Sequence, residues 1–185
     1  RKMQIEVVQN FTSRGVAAIV LAPLDETALA APVREAVKRK IPVVVIDSDL
    51  KGNEHASFVA TDNYAGGKMA AKRLAEVLGG SGTALMMRYA EGSASTMKRE
   101  QGFLDGMKEY GPGISLVSTN QYGGVTAESA FKTGQNLLNR FPTVNGIFCP
   151  NESTTFGMLR ALQTAGRAGA VKFVLCDAVV CKGAQ

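Results

Sequence analysis

The stretch VVVIDSDL occupies residues 43–50. Four β-branched residues run without alternation into Asp47, Ser48 and Asp49. A short, continuous apolar run predicts a strand covered on both faces, as in a parallel sheet. Two carboxylates and a hydroxyl directly after that strand put polar chemistry at its carboxyl end.

Outward from this stretch the chain repeats one unit. Before it lie a helical pattern closed by Gly15, the apolar run VAAIVLAP (16–23) and the helical ETALAAPVREAVKRK (26–40), which Asp25 or Thr27 can cap. After it comes a polar loop with KGNEHA, then the short strand SFVAT (57–61). Helical patterns are expected over 63–80, 94–111, 126–141 and 153–166, and strands over 83–88, 114–119, 144–149 and 171–176. Strands alternating with helices need crossover connections, so the fold class is α/β with parallel sheets. Only 50–63 breaks the rhythm, with a strand following a strand. That break predicts a passage between two lobes: residues 1–61 as part of the first and 62–185 as most of the second, with a hinge crossing near 60–63.

The two edges of such sheets differ in chemistry. Loops entering the strands (GGSG 79–82, GPG 111–113, PT 142–143, RAGA 167–170) are tight turns. Loops leaving them carry Asp25, then Asp47 to Asp49, Arg88 to Glu91, Asn120 to Tyr122, Asn151 with Glu152, and Asp177. Ligands of open parallel sheets bind at the carboxyl ends of the strands. Asp, Asn and Arg suit sugar hydroxyls, which both donate and accept, and aromatic rings cover the apolar faces of a sugar. Helix capping is the competing role for Asp25, Asn151 and Asp177.

Composition narrows the alternatives. The 185 residues are 45% hydrophobic and 20% charged, enough for a real core, and the net charge of +5 is scattered. KRK at 38–40 is the densest basic run and fits a helix C-terminus, so nucleic acid is not an expected partner. No apolar run is long enough to span a membrane. Three cysteines (Cys149, Cys176, Cys181) without CxxC, and a single His55, offer no zinc set and predict free or buried thiols. No Ser-His-Asp arrangement is available, and the glycines at 66–67 and 79–82 lack phosphate-loop spacing. Gly66 and Gly67 are expected to permit close helix packing. No catalytic residues, cofactor or metal are therefore assigned.

Five segments in register, IPVVVIDSDL, ATDNYAGGKMAAKRLAE, GSASTMKREQGF, FPTVNGIFCPNESTTFGMLRALQTAG and KFVLCDA, resemble the periplasmic sugar-binding proteins of the ribose-binding type. The resemblance spans essentially the whole chain. It implies two doubly wound α/β lobes joined by three crossing strands and closing by a hinge on a monosaccharide, pentose or hexose. The first strand of that fold would precede Arg1 and its last crossing would follow Gln185, so the chain is expected to be truncated at both ends. The family members are monomeric, periplasmic or lipid-anchored receptors of ABC importers, made with a signal peptide, and they deliver sugar to a membrane permease.

By residue, the resemblance implies ligand contacts at Asp47, Ser48, Met97, Asn151 and Asp177. Arg88 and Tyr89, at a cleft-facing strand end, join that set. Ser48 and Met97 stand where ribose binders carry arginine, which points to a sugar other than ribose. Thr61 and Asn63 fall in the hinge motif. Arg99 lies in the motif before GF, where its place inside a helix suits a structural ion pair; Arg88 is expected to contact ligand or to pair with Glu91. Two other functions fit the same fold class: the sugar-sensing core of a LacI-type transcriptional regulator, and a small α/β hydrolase or sugar-modifying enzyme.

Overall fold

The computed structural model describes residues 1–177. Its elements run α1 (Lys2–Arg14), β1 (Ile19–Leu21), α2 (Ala30–Lys38), β2 (Val43–Ile46), β3 (Ser57–Val59), α3 (Asn63–Val77), β4 (Gly82–Arg88), α4 (Ala94–Tyr110), β5 (Ile114–Tyr122), α5 (Ala127–Arg140), β6 (Gly146–Cys149), α6 (Glu152–Thr164) and β7 (Lys172–Leu175). All strand pairs are parallel, in two sheets ordered β1-β2-β3 and β5-β4-β6-β7. The chain divides into two compact units, one of residues 1–62 with 91–97 and one of 63–90 with 98–185. The grouping of 91–97 with the first unit has no counterpart in the sequence reading.

In the first unit, α1 and α2 bury one face of the sheet. Val8, Leu29, Val33 and Ala36 close over Ile19, Leu21, Val43 and Val45. The opposite face has no cover among the described residues. Val20 is 67% exposed and Val59 62%, while Val43 and Val45 are fully buried. Among the described residues the VVVI strand is thus covered on one face. Gly15 ends α1 in the left-handed region (φ 63°), where its N–H reaches the Phe11 and Thr12 carbonyls. α2 starts later than its periodicity suggests. Asp25 accepts from the Thr27 and Ala28 N–H groups at 2.9 and 2.8 Å, making a turn before the helix begins at Ala30. Pro32 then falls in the first helical turn, where its missing N–H costs nothing.

In the second unit the central strands sort their side chains by parity. Ala84, Met86 and Phe148 face Ala71, Leu74, Phe103 and Met107 of α3 and α4. Leu85, Met87, Ile147 and Cys149 face Leu137, Leu138, Met158 and Leu162 of α5 and α6. Helices on both faces make this sheet doubly wound. Phe103 stacks on Phe148 with centroids 4.2 Å apart, an arrangement worth about 1 kcal/mol beyond area burial.

Glycines set the helix spacing. A Cβ on Gly67 would stand 2.0 Å from the Arg99 carbonyl oxygen of α4, and one on Gly157 2.4 Å from the Ala130 Cβ of α5. Gly66, next in sequence, faces open space. Close packing therefore belongs to Gly67 and not to Gly66. α5 is capped by Thr126 and Ser129, each side chain serving the other's backbone N–H.

β5 extends to Tyr122, so Asn120, Gln121 and Tyr122 continue an edge strand and do not form a loop. Its pairing with β4 shifts register twice, which breaks the apolar pattern that would announce it. Cys149 is a buried free thiol and Cys176 a partly buried one; Cys181 lies outside the described residues. Burial pushes the Cys149 thiol far above its usual range, which keeps it protonated and unreactive at neutral pH. No helix among the described residues is long and apolar enough to cross a membrane.

Candidate functional site

The polar side chains named at the strand exits fall into one group in the first unit and two in the second. In the first unit, β2 ends at Ile46 and the chain turns sharply. The Ser48 N–H bonds back to the Ile46 carbonyl at 2.7 Å, and the Asp47 N–H reaches across to the Val59 carbonyl at 3.0 Å. This turn puts Asp47 in the left-handed region at φ 66°, a conformation Asp and Asn tolerate better than other residues. The Asp47 carboxylate is exposed and has no protein partner among the described residues.

Ser48 takes a different part. It is 3% exposed, and its Oγ accepts from the Ser95 N–H at 3.1 Å, tying the start of α4 to the β2 exit. Its place is interior, whereas the family resemblance implies a ligand contact. Met97 is 40% exposed and Thr61 is exposed. Asp25, further along this edge, is held below its usual carboxylate range by the Ala28 N–H first, against the opposing effect of burial, with help from Arg1 and Lys51. Its role is to cap the turn before α2 and to bind Arg1 at 3.0 Å.

In the second unit, the exit of β4 is built around a buried carboxylate that the sequence reading does not single out. Glu100, on α4, is 1% exposed. Its Oε2 takes the Arg88 Nη1–H at 3.0 Å and its Oε1 takes the Tyr89 N–H at 3.1 Å. Arg88 Nε donates to the Thr119 carbonyl at 2.8 Å, and the guanidinium lies 5.9 Å from the centroid of the Tyr122 ring. The partner of Arg88 is therefore Glu100, not the nearby Glu91, which groups with the first unit. Burial raises the Glu100 pKa above its ordinary 4.5, and the Tyr89 N–H and Arg88 oppose it only partly. On acidification Glu100 takes up its proton earlier than an exposed glutamate, and the charge pair with Arg88 weakens in that window. Burial also raises the Tyr89 phenol. A sequence signal for Glu100 exists: it lies three and seven residues before Phe103 and Met107, on the apolar stripe of α4, where a carboxylate demands a partner.

The second group centres on Arg99, 7% exposed. Its Nε donates to Asn63 Oδ1 at 2.7 Å, and its Nη1 to the Pro150 carbonyl at 2.9 Å and to Asp177 Oδ2 at 2.5 Å. One side chain thus ties α4 to the start of α3, the exit of β6 and the exit of β7. Asn63 is the first residue of α3, buried at 5%, and spends its side-chain oxygen on Arg99. Asp177, like Asp47, is a left-handed aspartate (φ 66°) just past a strand, with a half-exposed side chain. Asn151 caps α6. Its Oδ1 accepts from the Thr154 N–H and, at 2.6 Å, from the Thr154 hydroxyl, while its Nδ2 meets Ser153.

Residues 1–180 match the family described as periplasmic binding protein domain. The chain belongs to this family. Among curated proteins, this periplasmic binding protein domain is 30% identical to the ribose import binding protein of Salmonella typhimurium (strain LT2), over 87% of the present chain and 53% of that protein. It therefore spans about half the length of the curated relatives it matches. Among solved structures, the periplasmic component of an ABC-type sugar transport system from Hahella chejuensis superposes with a TM-score of 0.91 at 37% identity, covering 96% of this chain and 65% of that one. An ABC transporter solute-binding protein from Agrobacterium vitis with bound D-fucose gives 0.88 at 35% identity, over 93% and 60%.

Proposed function

We propose that this protein is the solute-binding receptor of a bacterial ABC sugar importer. It binds a monosaccharide without turning it over, acts outside the cytoplasmic membrane and hands its ligand to a membrane permease. The observation that carries this reading is Asp47. A carboxylate with no protein partner among the described residues, on a backbone held at positive φ, at the carboxyl end of a parallel strand, is a pair of acceptors open to hydroxyl donors. Within the second unit, the Arg88 guanidinium and the Asp177 carboxylate lie at the corresponding edge of its own sheet. The relatives' names support a sugar as ligand: one is a ribose import binding protein, and one structural neighbour holds D-fucose. Ser48 and Met97 supply no guanidinium, which favours a hexose or another sugar over ribose.

The variant Asp47→Asn tests this reading. Asparagine keeps the size of the side chain and tolerates the left-handed backbone, so the melting temperature should hold within a degree or two. A charge-assisted acceptor is lost, and affinity for the best sugar of a panel containing ribose, allose, fucose and arabinose should fall about 10- to 100-fold by calorimetry. Unchanged affinity in a folded Asp47→Asn protein would remove Asp47 from the site.

A further inference from the structure

The Arg88 cluster contains more structure than an ion pair needs. Guanidinium groups carry five N–H donors in a planar fork. Two elements of that fork are fixed from behind, Nε by the Thr119 carbonyl on β5 and Nη1 by Glu100 on α4. The guanidinium carbon lies over the ring of Tyr122, its partner in the β4–β5 register. The remaining donors have no protein acceptor among the described residues, and the side chain keeps 25% of its exposure. Glu100 also holds the next peptide, through the Tyr89 N–H. A single buried carboxylate therefore sets both the side chain of the last residue of β4 and the backbone that follows it.

A surface ion pair would be built differently. It would use a solvated carboxylate and leave the arginine free to change rotamer. Here the acid is sealed in the core at 1% exposure, and its burial is tolerated only because both oxygens are used.

We infer that Glu100 is a positioning residue for the ligand: it fixes Arg88 as a rigid donor fork at the carboxyl edge of β4, for two adjacent hydroxyl oxygens of the sugar. This assignment rests on the sugar-receptor reading. Arg88 makes the contact, and Glu100 acts through it. A preorganised fork loses little side-chain entropy when the sugar arrives, and its planar spacing suits two neighbouring hydroxyl oxygens.

The test is Glu100→Gln in the full chain. Glutamine keeps the volume but has one acceptor oxygen, so its amide group must face either the Arg88 or the Tyr89 donor. The Arg88 Nη1–H resonance, followed by nitrogen-15 NMR, reports the bond to Glu100 without any ligand. Its exchange with water should be at least about 10-fold faster in Glu100→Gln than in the wild type. Affinity for the best sugar of the panel should fall about 10-fold, and the double variant with Arg88→Met should bind no worse than Arg88→Met alone, because the two residues act as one unit. Should Glu100→Gln fail to fold, Arg88→Lys serves instead. It preserves a cation for Glu100 but not the fork, and the same 10-fold loss is expected. A wild type that binds sugar together with a Glu100→Gln or Arg88→Lys protein that binds equally well overturns the assignment and leaves the receptor reading standing. A wild type that binds no sugar overturns both.

Discussion

Arg99→Met is expected to cost about 3 kcal/mol or more of unfolding free energy, measured by urea denaturation at neutral pH. Arg99 has three acceptors, and they do not weigh equally. The Asp177 side chain is half-exposed and rehydrates when its partner is removed, so that bond contributes little. Asn63 is 5% exposed and Pro150 is buried. Methionine fills the space but leaves the Asn63 oxygen and the Pro150 carbonyl without donors. Each orphaned buried acceptor costs about 1–3 kcal/mol. Lysine should rescue only part of the loss, since a point charge cannot reach three acceptors in fixed directions. Salt separates this account from a simple ion pair. The two dominant bonds go to neutral acceptors, so the loss should persist in 1 M salt, where surface pairs are screened. A loss under 1 kcal/mol, or one that vanishes in high salt, would show that Arg99 is an ordinary ion pair.

The second large effect comes from two neighbouring glycines with opposite signs. Gly67→Ala should destabilise by about 3 kcal/mol, whereas Gly66→Ala should stabilise by about 0.5–1 kcal/mol. Both sit inside α3, where alanine is intrinsically better than glycine by up to about 1 kcal/mol. That gain is all that acts at Gly66, which has nothing within 4 Å of a new Cβ. At Gly67 the new Cβ would lie 2.0 Å from the Arg99 carbonyl oxygen and 2.8 Å from the Phe103 nitrogen. Backbone cannot rotate aside, so α3 and α4 must separate. Overpacking of this kind costs about 1–3 kcal/mol or more, and it exceeds the propensity gain. A Cβ on Gly102 would in turn meet the Tyr64 carbonyl oxygen at 2.1 Å, so the close approach is built from both helices. Parallel shifts of equal sign in the two variants would contradict this packing.

The same pair shows which parts of the molecule are legible in the sequence. Glycine spacing announces close packing, but two adjacent glycines point in directions 100° apart on a helix, and only the neighbouring helix decides which one matters. Strand alternation with helices was legible because buried parallel strands such as ALMM (84–87) are continuous apolar runs, fully buried here. Asn120 to Tyr122 escaped because an edge strand with register shifts has a polar face and no period.

At the site, residue types and the edge of the sheet were legible, but partners were not. Arg88 has Glu91 three residues away in sequence, yet its partner is Glu100, brought close by the turn of the chain into α4. Ser48 and Asp47 are adjacent, and chain direction alone sends one inward to Ser95 and the other out to solvent. Asn151 carries the residue type of a ligand contact and the hydrogen bonds of a helix cap.

Native mass spectrometry of the full chain, titrated with a panel of pentoses and hexoses, tests the central proposal most directly. The account predicts a saturable adduct with the mass of one monosaccharide, lost on collisional activation and weakened in Asp47→Asn. A folded full chain that stays free of adduct across the panel, at concentrations up to the millimolar range, would contradict it.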